Sequence, residues 1–314
     1  MRDPALDVLE TLRTPPYDTG RLLLTGWFSF LDGEVTVGDL MAQQRMSLAL
    51  DQAGVAHDTA WSPGFRPGAL TLEDADPASY GRLLFVCGPA HGDQLLALHR
   101  RFERCRRLAV DVTVVDRRDP AVTAFDHVVA RDGVPGGPRL DMSATAPLGR
   151  RPPVVGVLLT GGQGEYGALR RHADVNERLT GWVGRQDCAR VEADTRLAID
   201  DWRHCATAEQ FMALAEKFDL VLTTRLHGLV LSLRAGTPVI AVDPVHGGAK
   251  VSAQARALRW PALVAAGDGS PAVLDAWWSW CLSPAGRAAA ERRARLMHRR
   301  AAGVGQELRF GSRP

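Results

Sequence analysis

Lysine is nearly missing from this 314-residue chain: Lys217 and Lys250 are the only two, and every other cationic side chain is arginine. With Ala, Gly, Val and Pro all plentiful, the bias points to a coding sequence rich in G and C, so each remaining lysine stands out slightly. An excess of one charge is missing too. The formal net charge is +2, without the concentrated basic face that a nucleic-acid or membrane-surface partner requires. Five cysteines, Cys87, Cys105, Cys188, Cys205 and Cys281, are odd in number and include no C-x-x-C pair. This spacing argues against a disulfide framework or a zinc site, so no metal site is expected. The opening MRDPALDVLE has no apolar stretch of the secretory type. No apolar run approaches the roughly 20 residues of a membrane span. The expectation is a cytoplasmic protein with no transmembrane segment.

What is present suits a globular core: 46% of residues are hydrophobic and 24% charged. A short helix is expected over Leu6–Leu12. The run RLLLTGWFSF then reads as a buried strand ending at Gly26, and LMAQQRMSLALDQAG as a helix with Asp39 at its N-cap and Gly54 as its stop. A strand at Gly81–Cys87, a helix at Asp93–Cys105, a strand at Leu108–Val115 and the segment FDHVVARD continue the alternation. Periodicity breaks between Pro138 and Pro153, the best linker candidate. PVVGVLLTGG then restarts the pattern, its LLTGG echoing the LLLTG at Leu22–Gly26.

Beyond that point the chain reads as a helix around Asp174–Gly184, a strand in ARVEADT, and a helix at Ala208–Lys217. A strand at Leu220–Thr223, a helix at His227–Arg234, a strand at Pro238–Val242 and a helix within Ala249–Leu258 follow, and Pro271–Gly303 reads as one helical tail. Strands alternating with helices in two blocks imply an α/β chain of two Rossmann-like domains facing a cleft, residues 1–145 and 152–314. The terminal helix is a candidate for packing back on the first domain.

Most of the chemistry sits in FDLVLTTRLHGLVLSLRAGTPVIAVDP. Either Thr223 or Thr224 can cap the helix that follows their strand. Arg225 and His227 then fall at a helix start, where free N–H groups and the positive dipole end favour an anion. A guanidinium adds bidentate contact with phosphate or carboxylate, an imidazole adds a proton carrier near neutral pH, and Gly228 permits close backbone approach. Gly236–Thr237–Pro238 ends the helix and launches the next strand. A second loop, His246–Gly247–Gly248, leads to Lys250 at another helix start, which is friendly to phosphate although the Walker spacing is absent.

Arg225–Gly228, Gly236–Pro238 and the G-G-x-K-V-x-x-Q of Gly247–Gln254 together resemble the signature of the polysaccharide pyruvyl transferase family, over roughly Phe218–Pro261. Elsewhere the likeness is looser. Val37–Asp39 resembles the family's Gly-Asp element with Thr36 in place of Asn, FVCGPAHGDQLL stands where a glycine-rich loop belongs but carries Pro89 and Ala90, and Ala130–Asp132 resembles an A-R-D element.

The resemblance implies a fold similar to the B-type glycosyltransferases. It also implies transfer of a pyruvyl group from phosphoenolpyruvate, a co-substrate and not a cofactor, to two hydroxyls of a carbohydrate or glycosylated acceptor. On that reading His227 is the catalytic acid, and Arg225, Gly228, His246, Gly247, Gly248 and Lys250 bind phosphoenolpyruvate. Asp39, His91, Asp93, Arg131, Gly162 and Gln163 are candidates for the acceptor side or the cleft. Asp194 and Arg196 follow another strand and can pair with each other or cap. Clustered Trp277, Trp278 and Trp280 can stack a sugar, although such clusters more often lie in a core. Two alternatives stay open: a glycosyltransferase of the same fold using a sugar nucleotide, and a non-catalytic relative that binds an anion.

Overall fold

A computed structural model describes residues 4–15, 20–31, 35–132, 138–162 and 164–310, with side chains through residue 301. Contacts divide the chain into two units, Met1–Gly149 and Arg150–Pro314. The expected site residue Gln163 lies outside the described residues.

In the first unit, helix α1 (Pro4–Leu12) precedes β1 (Leu22–Gly26), α2 (Val37–Gln52), β2 (His57–Thr59), β3 (Arg82–Val86), α3 (Asp93–Arg101), β4 (Arg106–Thr113), the single turn α4 (Pro120–Thr123) and β5 (His127–Asp132). All pairings are parallel, in the order β2-β1-β3-β4-β5. The central strands are buried on both faces, so their residues alternate between two apolar clusters. Leu23, Leu83, Phe85 and Ala109 join one, while Leu22, Leu24, Leu84, Val86, Leu108 and Val110 join the other. Such strands read as unbroken apolar runs because neither face meets water.

The second unit repeats the plan. It comprises β6 (Val154–Leu158), α5 (His172–Val183), β7 (Ala189–Glu192), α6 (Ala208–Ala215), β8 (Leu220–Thr223), α7 (Leu226–Ala235), β9 (Val239–Asp243), α8 (Lys250–Ala257), β10 (Leu263–Ala265), α9 (Pro271–Leu282) and α10 (Pro284–Phe310). Its parallel order, β10-β9-β8-β6-β7, is the first unit's order counted from its own first strand. Each sheet therefore reverses direction between its first and third strands, and ligands in such sheets bind beyond the carboxyl ends at that switch.

The tail is two helices. Ser283 ends α9, and its hydroxyl takes the Gly286 N–H at 3.2 Å, which starts α10 after Pro284. Helix α10 packs on α7 and α9 of its own unit. The tryptophans pack on the core of this unit, edge to face: Trp278 on Trp182, and Trp280 on Trp260 and Trp277. Among the described residues no helix is long and apolar enough to cross a membrane.

Two expected caps are corrected. The N-cap of α2 is Thr36, and Asp39 stands three residues inside. The Thr36 hydroxyl oxygen accepts the Asp39 N–H at 3.2 Å, and the Asp39 carboxylate accepts the Thr36 N–H at 3.2 Å and its O–H at 2.7 Å. This reciprocal box satisfies two orphan donors at once. Neither Thr223 nor Thr224 caps α7. Its N-cap is Arg225, whose side chain makes no cap bond.

Candidate functional site

The carboxyl ends of β6, β8 and β9 carry the loops that hold most of the expected donor residues. Thr223, fully buried at the end of β8, donates its hydroxyl to the Leu158 carbonyl (2.7 Å) and accepts the Arg225 N–H (3.0 Å). Thr224 accepts the Thr160 N–H at 2.9 Å. Both threonines thus tie β8 to the exit of β6, which is why neither reaches the helix that follows. Among the described residues no side chain caps the first turn of α7. An uncapped first turn is the usual receptor for an anion.

Gly228 serves a different approach from the one its position suggests. A Cβ there would stand 2.2 Å from the Thr223 hydroxyl oxygen, so glycine lets α7 sit against the strand end rather than against a ligand. His227, the second residue of α7, is exposed, with no hydrogen-bond partner among the described residues.

Arg225 is already engaged. Its Nη2 lies 2.8 Å from Asp194 Oδ2, and its Nε donates to the Leu159 carbonyl at 3.2 Å. Asp194 turns its other oxygen to the Arg196 N–H at 2.9 Å, so it caps Arg196 and pairs with Arg225; the Arg196 guanidinium meets His204 Nε2 at 2.9 Å. Beside this pair lies a depression of about 710 Å³ lined by Leu159, Glu192, Asp194, Arg196 and His204 among others.

The second helix start differs. Asp243, fully buried at the end of β9, accepts N–H groups from Val245 (3.1 Å), Ala249 (2.7 Å) and Ser252 (2.8 Å). The protein thereby places its own carboxylate at the first turn of α8. The Gly248 amide is likewise spent, on the Val245 carbonyl at 2.9 Å. Gly248 has φ 82°, and an added Cβ would meet Ser252 Oγ at 2.9 Å. Of the two open helix starts expected, one is open and the other internally occupied.

His246 is exposed, and its N–H bonds the Leu169 carbonyl at 2.9 Å. That bond and a bridge between Arg170 and Val245 fasten the β9–α8 loop to the segment before α5. Lys250 Nζ lies 3.7 Å from Glu165 and 5.9 Å from the Tyr166 ring centre, so that segment shares its charge. Gly162 is exposed, with nothing within 4 Å of an added Cβ.

Two residues here, Asp243 and His172, escaped the sequence reading, as did the pairing of Asp194 with Arg225. Asp243 had a signal, an acid between an apolar strand and a Gly-Gly loop. Asp194 as the partner of Arg225 had none, being brought in from another strand. His172 opens α5 at 2% exposure, with neither ring nitrogen bonded among the described residues. Burial, then Arg170, lowers its pKa.

In the first unit the remaining candidates separate. His91 is exposed and bonds the Asp119 carboxylate through Nδ1 at 2.6 Å, which holds Asp119 below the usual carboxylate range. Asp93 is exposed in the first turn of α3, where a negative charge suits the dipole. Arg131 is spent on Asp141 (2.6 Å), Thr113 Oγ1 (2.9 Å) and Asp132 (3.1 Å). Asp39 is spent in its capping box.

The polysaccharide pyruvyl transferase family model matches residues 166–246. That stretch holds Asp194, Arg225, His227, Gly228, Asp243 and His246. None of the curated proteins matches the chain. Solved structures similar to it include the glycotransferase of kitacinnamycin, with 12% identity, a TM-score of 0.34, and coverage of 92% of this chain and 98% of that one. The spinosyn rhamnosyltransferase SpnG complexed with thymidine diphosphate has 13% identity and a TM-score of 0.32, covering 87% and 95%. The glycosyltransferase SnogD from Streptomyces nogalater has 15% identity and a TM-score of 0.31, covering 89% and 96%.

Proposed function

We propose that this chain is a pyruvyl transferase that moves a pyruvyl group from phosphoenolpyruvate to two hydroxyls of a sugar-containing acceptor, forming a ketal. The observation that carries the reading is the open first turn of α7, with Arg225 as its N-cap and the exposed His227 imidazole, inside the stretch matched by the pyruvyl transferase family model.

Phosphoenolpyruvate carries a phosphate and a carboxylate, so its site calls for helix amides and cations aimed where charge sits. His227 delivers a proton to the methylene carbon, and C2 gains oxocarbenium character. One acceptor hydroxyl adds to C2 and returns a proton to the imidazole. The second hydroxyl adds as the C2–O bond to phosphate breaks, its proton leaving with the phosphate. Lys250, His246 and the Gly247 amide are the further donor contacts. Gly248 contributes the shape of its loop, since its amide is occupied.

The test is incubation of the full chain with phosphoenolpyruvate and a panel of glycosides, following phosphate release, with calorimetry for binding. Acceptor-dependent phosphate release, abolished in His227→Ala and lowered at least about tenfold in Arg225→Ala, is expected. If phosphoenolpyruvate neither binds nor loses phosphate, the reading fails. Turnover of a sugar nucleotide instead would make it a glycosyltransferase, and binding without turnover an anion-binding relative.

A further inference from the structure

Beyond this reading, the carboxyl ends of β3, β4 and β5 gather three side chains that neither the family match nor the proposed reaction uses. Cys87 follows β3, Asp111 lies within β4, and Asp141 follows β5 in sequence. One ligand atom from each lies within 4.8 Å of the other two. Asp111 is fully buried and Cys87 is 5% exposed. Of the Asp111 carboxylate, Oδ2 accepts the Met142 N–H at 3.0 Å, while Oδ1 is buried with no hydrogen-bond partner among the described residues. A buried carboxylate oxygen without a partner carries a desolvation cost that the fold leaves uncompensated.

The backbone is shaped for this convergence. The register of β4 against β5 slips between Val110 and Val112, so Asp111 is the bulged residue. Asp111 and Cys87 both occupy left-handed backbone, with φ 59° and 65°. Such conformations turn a side chain aside from the alternation of a regular strand, and non-glycine residues adopt them at a cost.

Acids crowd the cluster. Burial first, then Asp39 and Asp111, pushes the Cys87 thiol up to about 12; burial first, then Asp141 and Asp132, pushes the Asp111 carboxyl up to about 7, against the Met142 N–H and Arg131. Against these acids stands the Arg131 guanidinium, 2.6 Å from Asp141 and 3.9 Å from Cys87 Sγ. Arg131 makes no hydrogen bond to Asp111 Oδ1.

We propose that Cys87, Asp111 and Asp141 form a site for one divalent transition-metal ion of the zinc type. A thiolate and two carboxylate oxygens suit a borderline-soft cation, with water in the fourth position. Binding exchanges the Cys87 thiol proton for a sulfur–metal bond and gives the orphaned Asp111 oxygen a partner. The ion ties two adjacent strands to the segment that leaves the sheet.

The test is titration of chelator-treated full chain with Co²⁺, then competition by Zn²⁺. One equivalent of Co²⁺ is expected to bind with a thiolate-to-cobalt charge-transfer absorption, to be displaced by Zn²⁺, and to raise the melting temperature. Cys87→Ser should abolish that absorption, and Asp111→Asn should weaken binding by roughly 10–100-fold or more. Absence of the absorption in the native chain overturns the proposal, as does its persistence in Cys87→Ser, where only Cys105, Cys188, Cys205 and Cys281 remain. If the buried variants do not fold, Asp141→Asn decides: unchanged affinity overturns the site, and a comparable loss supports it.

Discussion

Arg225 and Asp194 meet at 2.8 Å with both side chains about three-quarters buried, although one follows β8 and the other follows β7. The pair joins the exits of two strands that are not neighbours in the sheet, with β6 between them. Asp194→Ala and Arg225→Ala should each lower stability by about 1–3 kcal/mol, since each leaves a partly buried charge short of its partner. A double-mutant cycle of urea unfolding should return a coupling of about 0.5 kcal/mol or more. Additive losses would make the contact incidental, and Arg225→Lys should not restore the coupling because lysine lacks the planar fork.

The fully buried Asp243 holds the β9–α8 loop by accepting three N–H groups. Asp243→Asn turns an amide nitrogen toward N–H donors in either orientation, so at least one donor loses its acceptor. The expected loss is about 2–3 kcal/mol, read as a lower melting temperature at unchanged far-UV circular dichroism. Stability equal to the native chain would show that water replaces the carboxylate at the start of α8.

Gly228 packs α7 against Thr223, whose hydroxyl lies 2.2 Å and Cβ 3.0 Å from where a methyl group would go. Gly228→Ala should therefore cost about 1–3 kcal/mol in urea unfolding, despite the better helix propensity of alanine. A stabilised variant would mean that the helix start has room, and that glycine serves the ligand instead.

The α/β class and the alternation of elements were legible because the central strands are buried on both faces and stand out as apolar runs between helical patterns. β8 was read to the residue, since Thr223 closes an apolar run. The edge strands β2 and β10 were not legible. Each has three residues, and HDT of β2 offers a polar run that only its neighbour makes a strand. The tail read as one helix because apolar residues recur on both sides of Ser283, although Pro284 marked the break. At the site, an Arg and a His at a helix start could be read from local order. The Arg225–Asp194 pair and the Cys87–Asp111–Asp141 cluster could not, because their members are distant in sequence and meet only through sheet order.

Buried His99 gives the first unit a sensitivity to acid. It is 4% exposed, its Nε2 lies 2.9 Å from the Ala121 carbonyl, and its ring meets Phe125 edge-on at 4.5 Å. Burial lowers its pKa from the ordinary 6.5; Arg107 lowers it further, while the Ala121 carbonyl and Asp126 act the other way. In the unfolded chain the imidazole takes a proton as pH falls through its ordinary value, while in the folded chain it resists. Below that value the unfolded state binds more protons, so His99's contribution is present above about pH 6.5 and is lost as pH falls through the depressed folded pKa. His99→Gln keeps a donor for the Ala121 carbonyl and removes the titration. Its melting temperature should fall less steeply than that of the native chain between about pH 7 and 5, with His172 contributing equally to both chains. Parallel curves would place the acid sensitivity elsewhere and show that His99 protonates without strain inside the fold.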